Sequence, residues 1–253
     1  MSNIAAVTQE QIQHHGALGS DRLFYVIAAS MMLIFTAIGF RPFYLHGKGI
    51  GGGEMTSQIV TLIVVHGLAM FGWVILFFLQ SILILAGNRR LHMVIGPAGA
   101  VLAGVIVVLG SIVAALSVHF NPELYGPFGG AKPFLAIMFT EMVGFGSFVA
   151  LGMKYRRRVE VHRPMMLLAT MFIISGSLGR CPYIGTLAVI PPLYVYLPML
   201  LFAGLLFLLQ WAMTRVMNRW YVFGFVGTLA ACLMSIVVGR SALWASVLGS
   251  FVR

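Results

Sequence analysis

Arg156-Arg157-Arg158-Val159-Glu160-Val161-His162-Arg163 lies between two long apolar runs, about 134–153 and 164–182. Arg89-Arg90-Leu91-His92 repeats the arrangement earlier in the chain, between runs at 59–86 and 93–118. Each run is close to the roughly 20 residues that cross a hydrocarbon core. Apolar runs joined by short basic loops are the pattern of a polytopic membrane protein. Further runs at 23–40, 193–213 and 221–238 bring the number of expected spans to seven.

Composition agrees with this reading. The chain has 253 residues, 60% of them hydrophobic and only 9% charged, whereas a soluble domain carries about 25% charged residues. So much apolar surface has no interior to hide in, so the bilayer is the expected solvent and first partner. The net charge of +10 does not indicate a nucleic-acid partner, because the basic residues sit in loops between spans. Ten of them (Arg22, Arg89, Arg90, Lys154, Arg156, Arg157, Arg158, Arg163, Arg215 and Arg219) fall on one face. Six (Arg41, Lys48, Lys132, Arg180, Arg240 and Arg253) fall on the other. The richer face is expected to be cytoplasmic.

The expected fold is therefore all-α: a bundle of about seven transmembrane helices, N-terminus cytoplasmic and C-terminus outside. Residues 1–22 read as a cytoplasmic segment with no cleavable signal, 23–238 as one transmembrane domain, and 239–253 as an external tail. In the tail Leu243, Trp244, Val247, Leu248, Phe251 and Val252 recur at helical spacing, which suggests a short interfacial helix. Tyr183, Tyr194 and Tyr196 read as an interfacial aromatic belt. The two cysteines form no CxxC, and the G-x-G-x-x-G at 47–52 follows no strand, so neither suggests a redox motif or a dinucleotide site.

Chemistry is expected at the polar residues within or beside the spans. His66, Trp73 and Gln80 are spaced by seven and share one helix face. They could form a seam for a cofactor or a proton, or bond helices together. Glu141 lies near the middle of the fourth span, and His66 and Arg180 are its candidate partners. His92 and His162 open two spans at matched depth, as a bis-histidine haem b requires, with Arg89, Arg90 and Arg163 near enough for propionates. His66, His119 and His46 could provide a second site for haem or copper on the other side. Against a shared dihaem axis, His92 and His119 stand about 40 Å apart along a helix. The competing role for His92 and His162 is contact with lipid phosphates.

The series Gly39-Phe40, His66-Gly67, Trp73, Gln80, Arg90-Leu91-His92 with Gly96 and Gly99, then His162-Arg163-Pro164-Met165-Met166-Leu167-Leu168-Ala169-Thr170 and Arg180 resembles a widespread family of uncharacterised bacterial integral membrane proteins. Met93 stands where that family usually carries Arg, and Arg163-Pro164 where it carries Lys-Arg. The resemblance spans about 23–182 and implies a multi-pass protein of the bacterial cytoplasmic membrane with six or seven helices. The His-Arg edge is also similar, more distantly, to edges of small membrane proteins that assist haem-copper oxidase assembly.

Three functions are compatible with these residues. The first is a haem-b- or quinone-linked redox protein. The second is a non-catalytic accessory or assembly subunit of a larger respiratory or photosynthetic membrane complex. The third is a small proton-coupled transporter, built on Glu141 and His66, for which broken helices near Pro191-Pro192 and Pro198 would be expected. No nucleophile constellation supports hydrolase chemistry. The last span lacks the lysine that a retinal Schiff base needs.

Overall fold

Interruptions in the apolar sequence set the elements. The computed structural model describes residues 2–48, 59–182 and 193–249, with side chains at 19–48, 59–126, 128–182 and 196–249. Among these residues there is no strand. The helices are α1 (Ser2–Gly39), α2 (Arg41–His46), α3 (Val60–Leu85), α4 (Arg89–Phe120), α5 (Ala131–Lys154), α6 (Val159–Arg180), α7 (Leu193–Thr214), α8 (Arg219–Gly239) and α9 (Ala242–Leu248), with a 3-10 turn at Pro122–Phe128. Seven of the segments are long and apolar enough to cross a membrane. Residues 2–22 are continuous with the first span, because no Gly or Pro stops α1 before Gly39 except the tolerated Gly16 and Gly19. α7 runs unbroken through Pro198, and Pro191-Pro192 lies outside the described residues.

Capping residues account for the starts of α4 and α8 at the basic end. Gly87 turns with φ 76°, and the Asn88 side chain accepts from Leu91 N at 3.1 Å to cap α4. Asn218 caps α8, its Oδ1 accepting from Trp220 N at 2.9 Å. Its Nδ2 also donates to Glu160 O at 3.1 Å. That carbonyl needs an outside donor, because Pro164, four residues on, has no N–H to offer.

Six helices form a ring in the order α1, α3, α4, α5, α8, α7, and α6 runs through its centre. α6 packs closely on α1, α5, α7 and α8 but only lightly on α3. Fourteen of its residues are buried, from Val161 to Leu178. It is nevertheless the least apolar of the seven spans, and the long α4 is the most apolar. In a bilayer this order is expected: ring helices turn apolar side chains to lipid, while the shielded centre can hold polar groups. Val101 of α4 and Phe223 of α8 are 69% and 67% exposed and face outward. The ring closes on α6 by close backbone approach. At Gly39 any side chain would run into the Ser177 backbone, so α1 crosses α6 there without a Cβ.

At the opposite end, α9 is amphipathic. Leu243 and Val247 are exposed, whereas Trp244 donates from Nε1 to Lys132 O at 2.9 Å and meets the Phe139 ring edge-on. The expected residues 250–253 of this tail lie outside the described residues. Tyr196 departs from the expected aromatic belt: it is buried, with its hydroxyl 2.7 Å from Ser235 Oγ. A phenol near the start of α7 has a polar partner available across the α7–α8 interface, so it turns inward. Tyr183 and the Tyr194 side chain lie outside the described residues.

Candidate functional site

The light packing of α6 on α3 leaves room for polar side chains at the basic end of the bundle. His92, in the first turn of α4, and His162, in the first turn of α6, meet there. Their ring centroids are 6.3 Å apart and their planes lie at 84°. His162 Nδ1 is 2.8 Å from Gly152 O in the last turn of α5. A carbonyl only accepts, so Nδ1 carries the proton and Nε2 presents a lone pair. Metal-binding histidines are commonly oriented by a carbonyl in this way.

Gln80, near the end of α3, completes the cluster. Its backbone carbonyl faces the His92 ring. Its Nε2 and Oε1, and His92 Nδ1, are buried without a hydrogen-bond partner. Each such atom costs about 1–3 kcal/mol if left unpaired, which makes these three the natural attachment points for a polar ligand.

The floor of the cluster is a second polar group that sequence reading did not assemble. Arg163 pairs with Asp21 of α1 and stacks over the Tyr25 ring at 5.7 Å. Gln210 of α7 reaches the Tyr25 hydroxyl. Asp21 and Tyr25 lie one turn apart on α1, but no spacing links them to Arg163 of α6 or Gln210 of α7. The one usable signal was Asp21 itself, an isolated carboxylate entering the first span at the basic edge. Arg163 is thus engaged by a carboxylate, while Arg89 and Arg90 stand exposed at the start of α4, about one turn before His92.

The seam expected on α3 faces inward. Trp73 donates from Nε1 to Thr170 Oγ1 of α6 at 3.1 Å and packs edge-on against Phe145 of α5 at 4.9 Å. His66 turns toward α4 and α5: a Cβ at Gly110 would meet both the His66 ring and Met142 Sδ, so these two side chains converge where Gly110 leaves space. His66 Nδ1 is buried without a partner. His119 lies nine residues beyond Gly110, about 13 Å along α4, with its ring 5.2 Å from that of Phe120. The structure does not bring His66 and His119 together, and His46 is exposed at the end of α2.

Glu141 is 4% exposed and sits 2.5 Å from Ser175 Oγ of α6. Arg180 donates to Gly176 O at 2.7 Å and lies over the Phe40 ring at 5.0 Å. Glu141 and His66 lie on different flanks of α5, because the His66 contact is Met142, the next residue along. Among the described residues, no group of three or more His, Cys, Asp or Glu is arranged to hold a metal ion. A metal carried by a macrocycle needs only the two axial ligands. Two imidazoles on one metal, at about 2.0–2.1 Å per bond, place their ring centres roughly 6 Å apart. The His92–His162 centroid separation is of that size.

No protein-family model, curated protein or solved structure matches the chain.

Proposed function

We propose that the chain is a redox membrane protein whose electron-carrying group is held between His92 and His162 at the basic end. The observation that supports this most directly is the pairing itself: two imidazoles 6.3 Å apart from separate helices, one of them fixed by Gly152 O so that Nε2 is free to bind. A b-type haem iron suits the two lone pairs and would supply one-electron chemistry. A quinone headgroup, with two carbonyl oxygens, suits the unpartnered Gln80 amide and His92 ring instead. With either group, α3, α4 and α6 hold the ligand and the apolar ring excludes water, while Arg89 and Arg90 offer charge to the propionates of a haem. The basic face is assigned to the cytoplasm and the membrane to the bacterial inner membrane, on the charge asymmetry and the family resemblance.

The test is a reduced-minus-oxidised visible spectrum of protein purified in mild detergent, with iron analysis and lipid extraction. A b-type α-band with near-stoichiometric iron, lost in both His92→Ala and His162→Ala, supports the haem form. Co-extracted quinone without iron supports the other. Protein carrying neither rejects the redox reading.

A second reading, an accessory subunit, draws on a different observation. A groove of about 470 Å³ opens between α5 and α8, lined in part by Thr140, Gly144, Ser147, Gly227 and Ala231. Small residues of this kind let another helix approach closely. Co-purification with other subunits at fixed stoichiometry would favour it.

A further inference from the structure

A second polar centre lies in the other half of the bundle, among α5, α6, α7 and α8, and takes no part in the histidine site. Its members are Glu141, Ser175, Tyr196, Ser235 and Thr140. The hydrogen-bond geometry bears on where the protons are. Ser175 Oγ lies 2.5 Å from Glu141 Oε1 and 2.9 Å from Phe172 O. A serine hydroxyl has a single proton. Ser175 can donate to Glu141 Oε1, and a protonated Glu141 carboxyl donating to Ser175 Oγ leaves the serine proton wholly for Phe172 O. Ser235 repeats the device: its Oγ donates to Cys232 O at 2.8 Å, so at 2.7 Å it accepts from the Tyr196 hydroxyl. The Tyr196 oxygen in turn faces Thr140, the neighbour of Glu141 along α5.

Each of these groups can be located from the end of its own helix. At 1.5 Å per residue, Glu141 is about 15 Å inside the start of α5. Ser175 is about 7 Å from the end of α6, Ser235 about 6 Å from the end of α8, and Tyr196 about 5 Å inside α7. All four distances are measured from the end opposite the basic loops. Arg180, on the last turn of α6, places a cation at that end. A glutamine at 141 would bond to Ser175 equally well without an ionisable group, and an ionisable side chain within a span is costly unless used.

We propose that Glu141 is an exchangeable proton-binding site, loaded and emptied from the end opposite the basic face through the Tyr196, Ser235 and Thr140 hydroxyls. On release the carboxyl O–H bond breaks, the proton leaves along the hydroxyls to water at the Arg180 end, and a carboxylate remains. The other titratable or charged groups that act on Glu141 are Arg180 of α6, Tyr196 of α7 and Cys232 of α8. His66 stands on the far flank of α5, beyond Met142. Arg180 is the positive charge that balances the carboxylate. This assignment is independent of the redox reading, since it uses neither the histidine pair nor its ligand.

The experiment is infrared difference spectroscopy of the full chain in lipid, between acid and alkaline buffer, in H2O and in D2O. The expected result is a carboxylic-acid C=O band that disappears on alkalinisation, shifts in D2O, is lost in Glu141→Gln and moves to higher wavenumber in Ser175→Ala. Glu141→Gln keeps the Ser175 contact, so its thermal midpoint serves as the check on folding. A band unchanged by pH and D2O makes the carboxyl a sealed structural group and overturns the proposal. A pH-sensitive band that survives Glu141→Gln overturns it as well.

Discussion

At Trp73 a single hydrogen bond ties α3 to the central helix, and its worth can be measured. Trp73→Phe and Thr170→Val should each lower stability by roughly 0.6 kcal/mol, a typical value for one bond between membrane helices. The double variant should lose no more than either alone. Additive losses in detergent unfolding would show that the bond contributes nothing. Cys181 offers a pH-dependent handle outside the spans. Burial pushes its thiol above the ordinary value, and its Sγ lies 3.6 Å from Phe35 O. A raised value means less thiolate at neutral pH, so in a Cys232→Ser background alkylation should stay slow at pH 7 and accelerate only well above the ordinary thiol range, near ~8.5. Rapid labelling at neutral pH would contradict the burial. The histidine pair was legible in sequence because both residues open a span after a basic loop, which sets a common depth. The link from Asp21 and Tyr25, neighbours on one face of α1, to Gln210 was not, because it is made only through the α1–α6–α7 packing.

Apart from the start of α1, which lies 21 residues before its apolar run, helix boundaries followed the runs to within about five residues. The order of the helices around the bundle did not follow from the runs. Mean hydropathy ranks α6 last, which by itself suggests the weakest span, whereas packing makes it the axis. The α1–α6 crossing depends on Gly39. Gly39→Ala would force a methyl against the Ser177 backbone, which has no rotamer to yield. Overpacking of this kind costs about 1–3 kcal/mol and should appear as a lower thermal midpoint. An unchanged midpoint would mean that the two helices separate freely there. Asn218→Ala tests the α8 cap and the Glu160 carbonyl together. It should cost more than the ~1 kcal/mol of an ordinary cap, because Pro164 leaves that carbonyl with no helical donor.

Seven crossings would put residues 1 and 253 on opposite sides of the membrane, and loop charge is expected to decide which side is which. Reporter fusions should place residue 1 with the basic face and residue 253 on the other. Replacing Arg156, Arg157 and Arg158 together with glutamine should produce a mixed population, because six basic residues already oppose the remaining seven. Uniform orientation in that variant would mean that loop charge does not set the topology. The central position of α6 also bears on biogenesis. When α6 leaves the insertion machinery, α7 and α8 have yet to be made, so the flanks of Ser175 and Glu141 that those helices cover meet lipid, or wait at the translocon, until they arrive. The last two spans then act as the covering that completes insertion of the fifth. A chain arrested near residue 192 should be cleared by quality control and not persist as a five-span protein.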